Sequence, residues 1–124
     1  MAFNIFYNKD ALTDLENING KIPNDCAVIL KKIENILTNN PFPFGQTIKK
    51  LKNIQPTLYR LRVNASISYR IFYRIIGSSI YIFKVVPKKD ADRILKIYFQ
   101  CSNRVAPRVC FIIFHRIDFD DYSR

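Results

Sequence analysis

Arg60, Arg62 and Arg70 are the residues whose type and spacing best suit chemistry. Leu58-Tyr59-Arg60-Leu61-Arg62-Val63 alternates with a period of two. That pattern places Arg60 and Arg62 on one face of a strand and Tyr59, Leu61 and Val63 on the other. The run from Ile67 to Ile76 alternates as well, with Ile67, Tyr69, Ile71, Tyr73 and Ile75 on one side and Ser68, Arg70, Phe72 and Arg74 on the other. A turn at Asn64-Ala65-Ser66 pairs the two strands and brings Arg70 beside Arg60 and Arg62. Converging guanidinium groups repel one another unless an anion lies among them, and their planar forks match phosphate oxygens. Phe72 on the same face reads as a stacking platform for an unpaired base. The competing reading is a solvated outer face whose arginine stems cover apolar neighbours.

The charge distribution favours an anionic partner. The 124 residues carry a formal net charge of +10. No Asp or Glu occurs between Glu34 and Asp90, a stretch that holds Lys49, Lys50, Lys52, Arg60, Arg62, Arg70, Arg74, Lys84, Lys88 and Lys89. A one-sided positive field draws polyanions and does little for folding. The expected partner is a nucleic acid or an acidic protein that imitates one. A basic membrane-surface protein would carry its cations along a helix face, whereas here many fall in strands.

Other chemistries lack their residues. There is no glycine-rich phosphate loop, nucleophile elbow or paired-cysteine ligand set. His115 is the only histidine, and Cys26, Cys101 and Cys110 have no metal-type spacing, so neither metal nor cofactor is expected. Odd, unpaired cysteines, the lack of a leader in Met1-Ala2-Phe3-Asn4-Ile5-Phe6-Tyr7 and the lack of an apolar span predict a cytoplasmic protein with no membrane partner.

The elements that must position the arginines follow from periodicity. Residues 3–7 read as a strand. Asp10 is placed to cap a helix bearing Ala11, Leu12, Leu15 and Ile18, which Gly20 ends. Pro23 suits the first turn of a second helix with Cys26, Ile29, Leu30, Ile33, Ile36 and Leu37 at helical spacing. Asn39 to Gly45 is a loop. The two arginine-bearing strands and a third, Ile80 to Val86, form a meander joined at Gly77-Ser78-Ser79. Asp90 opens a last helix with Ala91, Ile94, Leu95, Ile97 and Tyr98. The order is β-α-α-β-β-β-α, an α+β fold with the helical hairpin on one sheet face and a basic, concave other face. Residues 1–100 read as one domain. Residues 101–124, with the apolar run Val109 to Phe114 and the acids Asp118, Asp120 and Asp121, read as an extension that could add a strand.

Three segments in this order resemble the RelE/ParE toxin superfamily: Leu58 to Val63, Tyr69-Arg70-Ile71-Phe72-Tyr73, and Val85-Val86-Pro87-Lys88-Lys89-Asp90. Ile48-Lys49-Lys50-Leu51 resembles the family's approach to the meander. The resemblance spans roughly residues 3–99 and implies the toxin of a type II toxin–antitoxin pair, with a small acidic antitoxin as partner. RelE-like members are metal-independent endoribonucleases that cut messenger RNA on the ribosome and so inhibit translation. ParE-like members share the fold and poison DNA gyrase without catalysis of their own. The RelE-like reading comes first, with the ParE-like one as alternative.

Carried over by position, the catalytic set implied is Arg60, Arg62 and Arg70 with Lys88 or Lys89. Lys49, Lys50, Lys52, Phe72 and Arg74 are expected to bind RNA. The sequence departs from many RelE-like toxins after the third meander strand, where Asp90-Ala91-Asp92-Arg93-Ile94-Leu95 has no Tyr before Tyr98.

Overall fold

A computed structural model describes residues 2–51, 57–98 and 122–123. The chain folds as α+β, with three helices against a mixed sheet. The first strand, β1 (Asn4–Asn8), runs directly into α1 (Lys9–Lys21). The cap of α1 is Asn8 rather than Asp10. The Asn8 Oδ1 accepts from the backbone N–H of Asp10 at 2.6 Å and of Ala11 at 3.4 Å, and Asp10 falls in the first turn, where its charge suits the helix dipole. Pro23 opens α2 (Pro23–Lys32), which continues into a π-helical turn, Ile33–Leu37.

A short strand, β2 (Ile48–Lys50), precedes the expected meander of β3 (Tyr59–Asn64), β4 (Ser68–Ile76) and β5 (Ser79–Pro87). Gly77, at φ +59°, turns β4 into β5. The last helix, α3, spans Lys88–Tyr98, and β6 is Tyr122–Ser123. The sheet order is β2-β3-β4-β5-β1-β6. β1 lies parallel to β5, β6 pairs antiparallel with β1 through Tyr7↔Ser123 and Asn8↔Tyr122, and the meander is antiparallel throughout. The run Val109 to Phe114, Cys101, Cys110 and His115 lie outside the described residues. No described helix is long and apolar enough to cross a membrane.

Two cores form, one on each side of the sheet. On the first face Ala11 and Leu15 of α1, Ile29 of α2, and Ile33 and Leu37 of the π turn meet Leu61, Val63, Ile71, Tyr73, Ile80 and Ile82. Each fully buried aliphatic side chain there contributes about 1.5–3 kcal/mol. Residues of the helical hairpin and the apolar residues of the meander thus share one core.

The second face is not an open basic surface. Leu58, Phe72, Phe83 and Val86 pack with Ala91 and Ile94 of α3, so the last helix covers part of it. A bulge opposite Phe72 makes this possible. The register passes from Phe72↔Lys84 to Tyr73↔Ile82, leaving Phe83 as the extra residue. Bulges re-aim the side chains that follow them. Here Phe83 joins the second core, while Lys84 pairs with Asp14 of α1 at 3.3 Å.

Candidate nucleic-acid interface

Strand register brings the three arginines together. Arg62 lies directly opposite Arg70 across β3 and β4, and Arg60 is opposite Phe72. All three share the face that α3 partly covers. Residues directly opposite in such a ladder have Cβ atoms about 5 Å apart. Arg60 and Arg70 are both held below the ordinary arginine value, first by burial and then by neighbouring guanidinium charge: Arg62 acts on Arg60, and Arg60 and Arg62 act on Arg70. A guanidinium stays protonated under such shifts, so the cluster keeps its charge and carries the repulsion.

The hydrogen bonds of the cluster go to backbone. Arg60 donates from Nη2 to the Gln46 carbonyl at 3.2 Å, and Arg70 from Nη1 to the Tyr69 carbonyl at 3.1 Å. The Nε atoms of Arg60 and Arg62 are buried without a partner. Among the described residues no carboxylate forms an ion pair with any of the three; the acids that do pair are Asp14 with Lys84 and Asp90 with Arg93. An uncompensated cationic patch with unused N–H donors is what a phosphate would complete.

Depth separates the three arginines. Arg70 is only 6% exposed, whereas Arg60 and Arg62 are half-buried. Lys49 pairs in register with Arg60 and so lies on the same face, exposed. Lys50 pairs with Tyr59 and belongs to the opposite face. Lys52 lies outside the described residues. Lys88 and Lys89 are exposed in the first turn of α3. Two cations at the positive end of a helix oppose its dipole, and Asp90 beside them offsets part of that. Arg74 is half-buried and pairs in register with Tyr81, which stacks on Phe6 at 5.3 Å. It is four residues along β4 from Arg70, roughly 13 Å away, with Phe72 between them.

Phe72 does not fit the stacking role expected of it. It is 0% exposed and sits in the second core between β4 and α3. The cause is α3 itself, whose apolar stripe takes the aromatic that the strand pattern alone left facing outward.

Asp25 shapes the site without having been singled out by sequence. From α2 it accepts hydrogen bonds from the backbone N–H of Ser66 at 3.0 Å, from the Ser66 hydroxyl, and from the Tyr69 hydroxyl at 2.9 Å. Those donors, the Ser66 hydroxyl first, hold its carboxyl below the usual value, while burial and Asp25 push the Tyr69 phenol up to about 12. The carboxylate thus ties the β3–β4 turn to the helical hairpin and fixes the register that sets Arg62 against Arg70. A lone acid among the apolar positions of α2 was the available signal. Tyr73 plays a similar part for the loop before β2, donating from its hydroxyl to the Pro41 carbonyl at 2.6 Å.

A search of curated proteins finds no match to the chain. The helical hairpin, the arginine-bearing meander and the start of α3 nevertheless fall inside one family description. Residues 5–92 match the model for the ParE toxin of type II toxin–antitoxin systems, parDE. The match covers more than half of the chain, which belongs to this toxin family.

Proposed function

We propose that the chain is the RelE-like toxin of its module and cleaves messenger RNA on translating ribosomes. The observation that carries this is the convergence of Arg60, Arg62 and Arg70, with two buried Nε donors unused and no carboxylate paired to them. In such a cleavage the RNA 2′-hydroxyl gives its proton to water as its oxygen bonds to the adjacent phosphorus, the bond to the 5′-oxygen breaks, and that oxygen takes up a proton. Charge grows on the phosphoryl oxygens. Cations fixed before the reaction stabilise that charge, and one such contact contributes about 3 kcal/mol. Arg62 and Arg70, directly opposite across the ladder, would serve the phosphoryl oxygens. Lys88 or Lys89 would protonate or neutralise the leaving 5′-oxygen. Lys49 and Arg60, on the open side of the same face, would hold the flanking phosphates.

Family membership implies a cognate antitoxin. A small acidic one would neutralise this surface. The test of the RNase reading is to express the chain and map 5′ ends on translated messages. New ends within reading frames, lost on Arg70→Ala, are expected. Growth arrest with intact messages overturns the reading.

A second reading, a ParE-like gyrase poison, is favoured by the description of the matched family and by Asp90-Ala91-Asp92-Arg93, which offers no Tyr where many RelE-like toxins have one. It predicts cleaved gyrase–DNA complexes and DNA-damage signalling with unchanged messages.

A further inference from the structure

A cavity of about 340 Å³ lies between β1 and the π-helical turn, lined by Phe3, Asn4, Ile5, Tyr7, Glu34 and Thr38. None of these residues belongs to the arginine cluster or its lysines, and in the sheet β5 separates β1 from β4. The walls are tied together. The Phe3 N–H donates to the Thr38 carbonyl at 2.9 Å, and the Thr38 hydroxyl donates to the Glu34 carbonyl. Phe42 meets Phe3 edge to face, with ring centroids 6.0 Å apart. The turn that carries Glu34 is π-helical, a rare geometry that recurs at functional sites.

Aromatic rings and a carboxylate share this cavity. Phe3, Ile5 and Tyr7 are half-buried, and Glu34 is exposed. Among the described residues neither the Glu34 carboxylate nor the Tyr7 hydroxyl has a hydrogen-bond or ion-pair partner. The two groups feel one another: burial first, and the Glu34 charge second, push the Tyr7 phenol up to about 12. An anion entering here would meet a like charge. A cation with N–H donors suits the carboxylate, the hydroxyl oxygen and the rings at once. The volume is at the small end of ligand sites, which favours a short aliphatic chain. The net charge of +10 repels cations at long range, but at physiological salt that repulsion is screened beyond about 8 Å while the contact with Glu34 persists.

We infer that the cavity between β1 and the π-helical turn binds a small aliphatic amine of the diamine or polyamine class. One ammonium group would donate to Glu34 and to the Tyr7 hydroxyl oxygen, beside the Phe3 ring. The methylenes would lie along Ile5, and the second ammonium would stay in water. The inference goes beyond the proposed RNA cleavage and does not rest on it, since the two sites share no residue.

The experiment titrates the full chain, isotopically labelled at isoleucine methyl groups and tyrosine rings, with putrescine in about 0.15 M salt. Signals of Ile5 and Tyr7 should move saturably, while those of Ile71 and Tyr69 stay in place. Glu34→Gln should weaken binding at least about tenfold, and Phe3→Leu by about threefold. Butanediol, of the same length without charge, should leave the signals unmoved at the same concentrations. The inference is overturned if putrescine gives no saturable shift, if Glu34→Gln binds as the wild type does, or if butanediol matches putrescine. It is equally overturned if a lysine-bearing peptide moves these signals and putrescine does not. Binding is read without RNA or ribosomes, and transcript mapping reports on the arginine cluster, so failure of either proposal is distinguishable from failure of the other.

Discussion

Replacing Arg62 with Met should make the protein more stable and less able to bind RNA. Arg62 faces Arg70 directly across the ladder and shares its face with Arg60. A like-charge pair in that relation costs about 0.2–1 kcal/mol. The buried Nε of Arg62 has no partner, and an unsatisfied buried donor costs about 1–3 kcal/mol. Methionine keeps an unbranched apolar stem over the same neighbours while removing both penalties. The gain expected is about 1–2 kcal/mol after partial loss of the arginine's own packing. For a domain of this size that corresponds to a melting temperature higher by roughly 4–8 °C.

Thermal unfolding followed by circular dichroism, in low-salt buffer free of phosphate, measures this. At about 1 M salt the charge contribution is screened while the orphan donor remains, so the gain should fall to roughly half. A saturating single-stranded RNA should reverse the order. Ligand at about a hundred times its Kd stabilises the wild type by about 2.7 kcal/mol, and the variant by much less. Arg62→Met melting at or below the wild type in low salt refutes the reasoning, because the cluster would then be at rest without an anion.

Three further outcomes follow from the same geometry. Arg70→Ala should abolish growth arrest while retaining a native circular dichroism spectrum, and Arg70→Lys should rescue little of it because the fork is lost; arrest at the wild-type level removes Arg70 from the site. Phe72→Ala should cost about 3–5 kcal/mol in urea unfolding, and Phe72→Leu less than about 1.5 kcal/mol with RNA affinity unchanged. A well-folded Phe72→Leu variant that loses RNA binding would restore the stacking role. The Asp25 carboxyl is held below its ordinary 3.8 chiefly by the Ser66 hydroxyl, so its stabilising effect is present above about pH 4 and is lost as pH falls through the folded value. Asp25→Asn should accordingly be less stable than wild type at neutral pH, with the gap closing as the solution is acidified; a gap independent of pH counts against the carboxylate as the turn's anchor.

The local patterns were legible and the long-range ones were not. Alternation alone separated Leu61, Val63, Ile71 and Tyr73 from Arg60, Arg62 and Arg70, because strand period and burial on one face are coupled position by position. The Asn64 turn then placed Arg62 opposite Arg70. The docking of α3 could not be read this way. Its stripe of Ala91 and Ile94 announces an amphipathic helix, yet nothing local says which sheet face it covers, and that choice decided the fate of Phe72. The same holds for β1, whose parallel partner β5 is distant in sequence, and for Asp25, whose partners Ser66 and Tyr69 lie on another element. The bulge at Phe83 broke the alternation where Lys84 turns to Asp14. Non-local pairings carry no short-range signature, so sequence periodicity predicts faces better than it predicts what covers them.

The division of the second face explains how the chain tolerates its arginines. Phe72, Phe83 and Val86 give α3 an apolar bed on one part of that face, and the helical hairpin supplies a larger core on the other side of the sheet. The strands that carry Arg60, Arg62 and Arg70 are therefore held from both sides by burial, while the guanidinium groups themselves oppose one another. Asp25 adds a hydrogen-bonded clamp at the turn that joins them. A cluster kept together by its scaffold despite its own repulsion is preorganised for anions. The conformational cost of gathering the cations is met during folding, and an incoming phosphate meets donors already in place. Stability forgone at such a face is the expected signature of a binding site rather than a packing fault. On this argument, variants that relax the cluster without disturbing either core should gain stability and lose toxicity together.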